Sequence, residues 1–167
     1  MRRIILLLLS YATLVSAQSN PSASWKEYTF QVDRFAITAP EQPSHHVDMT
    51  TPEFMVYSIP MPAKTVLNLR VSNRTRDCAS FLGQLKDGAL QGKDGMDPAS
   101  VKTISLDGNP GIEYQWISPL HTNLDRYYCV SGKFYVFSAS WQKGESRPPI
   151  IDRVESSLRL LKPAAGN

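Results

Sequence analysis

Histidine and cysteine are scarce in this sequence, with three of the first and two of the second in 167 residues, and that scarcity narrows the chemistry at once. Zinc sites need three or four ligands at recognisable spacing. His45 and His46 are adjacent, so in a strand their side chains take opposite faces and do not share a metal, and His121 is read as a solvated loop residue. Nucleophile motifs are missing as well: there is no Gly-x-Ser-x-Gly, no His-Glu-x-x-His, no phosphate-binding glycine loop and no paired-carboxylate signature. Ser140-Trp141-Gln142-Lys143 has the letters of Ser-x-x-Lys, yet it falls at a strand end and not at a helix start. Asp94-Gly95-Met96-Asp97 has too few oxygen ligands for a calcium loop and reads as a turn. These absences predict no catalytic residue, no metal ligand and no cofactor.

A dense basic stripe is also lacking. Arg70, Arg74 and Arg76 form a small group, but Asp77 follows at once and no stacking aromatics interleave with them, which argues against a nucleic-acid partner. Asn73-Arg74-Thr75 is a glycosylation sequon only in a host that uses one. Long apolar runs are absent except at the start. Met1-Arg2-Arg3, the apolar stretch from Ile4 and the small-residue end at Val15-Ser16-Ala17 have the three parts of a secretory signal peptide, 1–17, cleaved between Ala17 and Gln18. Losing Arg2 and Arg3 lowers the formal net charge from +3 to about +1. The expectation is an exported protein, periplasmic or secreted, with no stable membrane span after cleavage.

The remaining residues suffice for one core. The expected organisation is a flexible segment over 18–24, a single domain over 25–162 and a flexible tail over 163–167. Period-two alternation predicts strands at Trp25–Gln31, Phe35–Thr38, His46–Met49, Glu53–Ile59, Lys64–Asn73, Val101–Leu106, Ile112–Ile117, Asp125–Val130 and Lys133–Gln142. Asp107-Gly108 and Ser131-Gly132 supply the left-handed positions that tight reversals need. Cys78, Phe81, Leu82, Leu85 and Ala89 share one helical face, with Asp77 as N-cap and Gly92 as stop. A last helix begins at Pro148-Pro149 and buries Ile151, Val154, Leu158 and Leu161. Because Phe134 to Trp141 is apolar on both sides, the predicted class is α+β: a mostly antiparallel central sheet flanked by helices on both faces, an α/β/α sandwich.

Cys78 and Cys129 are an even pair in an exported chain, which makes a disulfide the first expectation; the residues also leave open two separate buried thiols and, last, a catalytic cysteine. Closing a loop of about 50 residues contributes roughly 4 kcal/mol in the chain-entropy account. Trp25, Trp116, Trp141 and the aromatics from Tyr127 to Phe137 are read as core, unless several are exposed together and mark a binding surface.

Trp25 to Phe30 with Phe35-Ala36-Ile37-Thr38-Ala39-Pro40, and Ile104 to Tyr114 with its Gly-Asn-Pro-Gly turn, come in an order seen before. With Asp125-Arg126-Tyr127-Tyr128, Lys133 to Phe137 and the terminal Ser157-Leu158-Arg159-Leu160, they resemble the PsbP-like fold over most of the chain. That fold is shared by an extrinsic subunit of photosystem II, by the Ran-binding Mog-one protein and by small exported bacterial proteins. The resemblance implies an antiparallel sheet with flanking helices and action by docking onto a protein partner rather than by catalysis. The expected function is thus a non-catalytic accessory or partner-binding protein, its binding surface unassigned. A carrier of a small apolar ligand between sheet and helix is the alternative, and a hydrolase using His45 or His121 the third reading.

Overall fold

The computed structural model describes residues 24–61, 64–72 and 77–162. The elements follow as β1 (Lys26–Phe30), β2 (Phe35–Ala39), β3 (Ser44–Val47), β4 (Phe54–Ile59), β5 (Val66–Ser72), α1 (Cys78–Leu90), β6 (Met96–Leu106), β7 (Asn109–Ile117), β8 (His121–Val130), β9 (Lys133–Gln142), α2 (Pro149–Ser156) and β10 (Arg159–Leu160). Seven strands form one antiparallel sheet in the order β3-β4-β5-β9-β8-β7-β6, and three form a second in the order β1-β2-β10. Two-residue reversals set the register of the larger sheet. Asp107 and Gly108, with φ of 51° and 78°, join β6 to β7; Ser131 and Gly132, with φ of 49° and 79°, join β8 to β9. Both loops have the paired positive φ that matches the twist of the strands they connect. Gly111 is needed for a different reason. A Cβ there would lie 2.5 Å from the Tyr127 carbonyl oxygen and 2.7 Å from the Tyr128 ring, so a side chain would push β7 off β8.

Alternation gives the large sheet two unlike faces. Leu67, Leu69 and Val71 of β5 lie beside Ala139, Phe137 and Tyr135 of β9, which in turn lie beside Leu124, Arg126 and Tyr128 of β8. Except for Arg126 these are buried, and they form the main core with Phe35, Ile37 and Ala39 of β2, Ile151 and Val154 of α2, and Leu158 and Leu160 beyond it. Burying one such side chain contributes about 1.5–3 kcal/mol. The second face bears Asn68 and Arg70, then Val136, Ser138 and Ser140, then Asn123, Asp125 and Tyr127. Helix α1 lies over β6, β7 and β8 on this side and reaches β9 through Phe81, whose ring centroid is 4.4 Å from that of Phe134.

Helix α1 starts where Asp77 accepts the Ala79 N–H at 3.1 Å and ends before Gly92, at φ 66°. Its apolar stripe and the Cys78–Cys129 disulfide, with Cα atoms 5.6 Å apart, fix it to the sheet. Helix α2 is held by charge as well as by Ile151 and Val154. Arg126 pairs with Glu113 and with Glu155, and Arg147 pairs with Glu155 and with Asp152 at 2.6 Å. Burial works to raise the Glu113 carboxyl, but Arg126 and Lys102 outweigh it and hold the group below its ordinary range.

Three expectations are corrected. The α/β/α sandwich is not what forms: 52% of the described residues are strand and 18% helical, in two antiparallel sheets. The reason is that a three-stranded sheet, and not a helical layer, provides most of the cover on the apolar face, with α2 as a short addition. The last helix stops at Ser156 and does not continue to Leu161. Ser157 turns its hydroxyl onto the Val154 carbonyl at 2.6 Å and accepts the Thr38 N–H at 2.9 Å, and the chain then extends to pair Arg159 and Leu160 with β2. His121 belongs to β8, opposite Gln142, and not to a loop. The expected signal peptide, its cleavage point at Ala17 and Gln18, the sequon Asn73-Arg74-Thr75 and the tail 163–167 lie outside the described residues.

Candidate functional site

The second face of the sheet is only half covered. Helix α1 makes its main contacts with β6, β7 and β8 and not with β3, β4 or β5, where the face is made of Phe54, Val56, Ser58, Val66, Asn68 and Arg70, with Val56 buried. Val66 is 54% exposed although β-branched and in a strand, while Asn68, Ser138 and Ser140 are half-buried. The Arg70 guanidinium lies 5.6 Å from the centre of the Phe54 ring.

At the border between this open half and α1 sits a polar cluster built by β7, β8 and β9. Register places Tyr114 opposite Asp125, Trp116 opposite Asn123, and Ser138 opposite Asp125. The Asp125 carboxylate is buried and accepts two neutral donors, the Trp116 Nε1–H at 2.9 Å and the Ser138 hydroxyl at 2.6 Å. Tyr114 and Tyr127 stack with ring centroids 5.9 Å apart. Burial, then the neighbouring Tyr127 and Asp125, push the Tyr114 phenol well above its ordinary range; burial and then Asp125 raise that of Tyr127. Both phenols therefore stay neutral at physiological pH. A cavity of about 200 Å³ opens here, lined by Asp94, Met96, Tyr114, Trp116 and Asp125.

A second cleft, of about 350 Å³, lies between the β1–β2 turn and β3–β4, lined by Phe30, Val32, Asp33, His45, Met55 and Tyr57 among others. Its buried Asp33 accepts the Tyr57 hydroxyl and pairs with Lys133 at 2.8 Å, so the carboxylate is already balanced. This cleft is formed between hairpin and sheet, not between sheet and helix where the apolar-carrier reading places its ligand. The His45 ring stacks on Tyr57 at 5.5 Å, and His46 faces the other way, opposite Val56. His121 meets Ser118 through its main chain: its carbonyl accepts the Ser118 N–H at 2.9 Å, and its N–H donates to the Ser118 hydroxyl at 3.0 Å. No group of three or more metal-ligating side chains occurs among the described residues, and no helix there is long and apolar enough to cross a membrane.

Of the aromatics read as core, Trp141, Tyr128, Phe134, Tyr135 and Phe137 are buried. Trp25 is half-buried beneath the Arg153 guanidinium, 3.8 Å from its ring centre. Trp116 is half-buried and lines the smaller cavity. Sequence reading did not single out Asp125, Ser138 or Tyr114. The available signal was the alternation of Asn123 and Asp125 with Leu124 and Arg126, matched by Ser138 and Ser140 in β9: polar residues repeating every second place on one face of central strands.

No protein-family model matches this sequence, and no curated protein matches it. Among solved structures, cyanobacterial PsbP (CyanoP) from Synechocystis sp. PCC 6803 superimposes with a TM-score of 0.56 at 16% identity, over 89% of this chain and 99% of that one. A protein from Bacteroides thetaiotaomicron gives a TM-score of 0.49 at 14% identity, over 82% of this chain and 48% of that one. The fold is PsbP-like.

Proposed function

We propose that this protein is an exported, non-catalytic accessory protein that docks a partner on the open half of its large sheet. The observation that carries the reading is the face formed by Val66, Asn68, Arg70, Ser138 and Ser140, where an exposed valine, an arginine on a phenylalanine ring and hydrogen-bonding side chains lie side by side away from the main contacts of α1. Exposed apolar area rimmed by polar groups is what partner surfaces offer. Export is supported by the Cys78–Cys129 disulfide, since such bonds persist in oxidising compartments. The PsbP-like fold supports an accessory role by analogy only. A photo-crosslinking amino acid placed at Val66 or Ser140 in the native host, with the exposed α1 position Lys86 as control, tests it. One recurring protein captured from the sheet positions and not from Lys86 is the expected result; recovery of free monomer from all three overturns it.

A further inference from the structure

Asp125 is a buried carboxylate with no cation in ion-pair contact; the Arg70 guanidinium, on the same face, acts on the Tyr114 and Tyr127 phenols beside it. Its side chain is held by an indole N–H and a serine hydroxyl, both neutral. Burying a carboxylate is costly unless its surroundings compensate it. The geometry around Asp125 specifies what that compensation would be. The cavity beside it is walled by Tyr114, Trp116 and Met96, and a second carboxylate, Asp94, stands exposed in the turn Lys93–Gly95 with φ 54°. The one basic residue in that turn, Lys93, runs its side chain against α1, its Cδ 3.8 Å from the Cβ position of Gly88.

A hard metal ion does not suit these walls. Calcium takes six to eight oxygen ligands, whereas each Asp125 oxygen already accepts one hydrogen bond and the remaining walls are two aromatic rings and a thioether. A weakly hydrated organic cation suits them well: its charge meets the two carboxylates, its carbon atoms meet Met96, and the aromatic faces attract it through their quadrupoles. The Trp116 edge is engaged with Asp125, which fixes the indole and leaves its face as a wall. We propose that this cavity is a binding site for an organic ammonium group, supplied either by a free small amine or by a lysine side chain of a docked partner. It rests on the binding reading above only in treating this face as functional, and it is tested on the isolated protein.

The indole N–H of Trp116 reports directly because it donates to the carboxylate in question. Nitrogen–proton spectra recorded during titration with n-butylammonium chloride, choline chloride or Nα-acetyl-lysine methylamide should show that signal moving saturably, with the Trp25 and Trp141 indoles unmoved. Sodium chloride at matched ionic strength and neutral Nα-acetyl-norleucine methylamide should leave it in place. Asp125→Asn keeps one acceptor oxygen, for the Trp116 N–H, while its NH2 donates to the Ser138 hydroxyl, and should weaken binding at least about tenfold; Asp94→Asn, on the exposed rim, keeps the assignment testable if Asp125→Asn fails to fold, and should weaken it about threefold. An equal response to sodium chloride, unchanged affinity in both variants, or saturation by calcium chloride alone overturns the site. The two sources separate by cross-linking. If Asp125→Asn abolishes capture from Val66 or Ser140, the ammonium is the partner's; if capture persists while butylammonium binding is lost, it is a free amine, and the site stands either way. Amine binding without any captured partner would sink the docking reading and leave this one intact.

Discussion

One step along β9 crosses from the enclosed face of the large sheet to its less covered one. Phe137 is wholly buried between β5 and β8 under the small sheet and α2, while Ser138, the next residue, faces the side where α1 covers only part of the strands. The first face is closed by apolar area and by the Arg126–Glu113–Glu155–Arg147 ion pairs, in which each charge has a partner. The second contains a buried carboxylate, Asp125, whose two hydrogen-bond donors are neutral. On the docking proposal the difference separates two duties: the first face supplies stability, and the second presents polar groups to a partner.

That division can be broken most sharply at Phe137. Truncation to alanine removes a fully buried ring from the main core and should cost about 3–5 kcal/mol, measured by urea unfolding with an unchanged slope. Loss of the Cys78–Cys129 bridge, with a sequence separation of 51, comes next, at roughly 2–4 kcal/mol by the same measurement on a double serine variant. Because the bridge fixes α1 to β8, hydrogen exchange should speed up in α1 before it does in α2. Exchange rising equally in both helices would show that the two faces are not independently secured.

Arg126→Met should cost about 3 kcal/mol, since it leaves Glu113 and Glu155 without their shared cation. The same site sets an acid limit. Glu113 has a folded-state value below its ordinary 4.5, so its contribution is in place above that ordinary value and is lost as pH falls through the depressed one. Stability of the native protein should therefore decline below about pH 4.5, and Arg126→Met should flatten that decline. An identical acid profile in the variant would detach Glu113 from the pairing.

What could be read in the sequence was what short-range chemistry decides. Asp107-Gly108 and Ser131-Gly132 announce their reversals because positive φ is a local demand, and Asp77 caps α1 through N–H groups two and three residues on. The end of α2 was not legible, because Ser157 is recruited by Thr38 from 119 residues away. Nor was the half-open face. Phe134 and Val136 made β9 look apolar on both sides, and they are, but only near α1; Ser138 and Ser140 carry the same face out from under it. The buried setting of Asp125 is not visible in the sequence because its donors come from Trp116 and Ser138, on two neighbouring strands, and a single strand's pattern does not show which groups its neighbours bring to a carboxylate.

The smallest expected change in stability falls at Val66, and it bears most directly on the contrast between the faces. Val66 is half-exposed on β5, beside Ser140 and beyond the reach of α1, so a lysine there can extend into water without displacing anything. Val66→Lys should shift stability by no more than about 0.5 kcal/mol, the range of ordinary surface substitutions. Its effect on capture of a partner from Ser140 should be large, because a mobile charge in the middle of a contact surface must be desolvated when the partner docks. A stability loss approaching that of Phe137→Ala would mean that Val66 is enclosed by part of the chain outside the described residues, and the second face would then be as closed as the first.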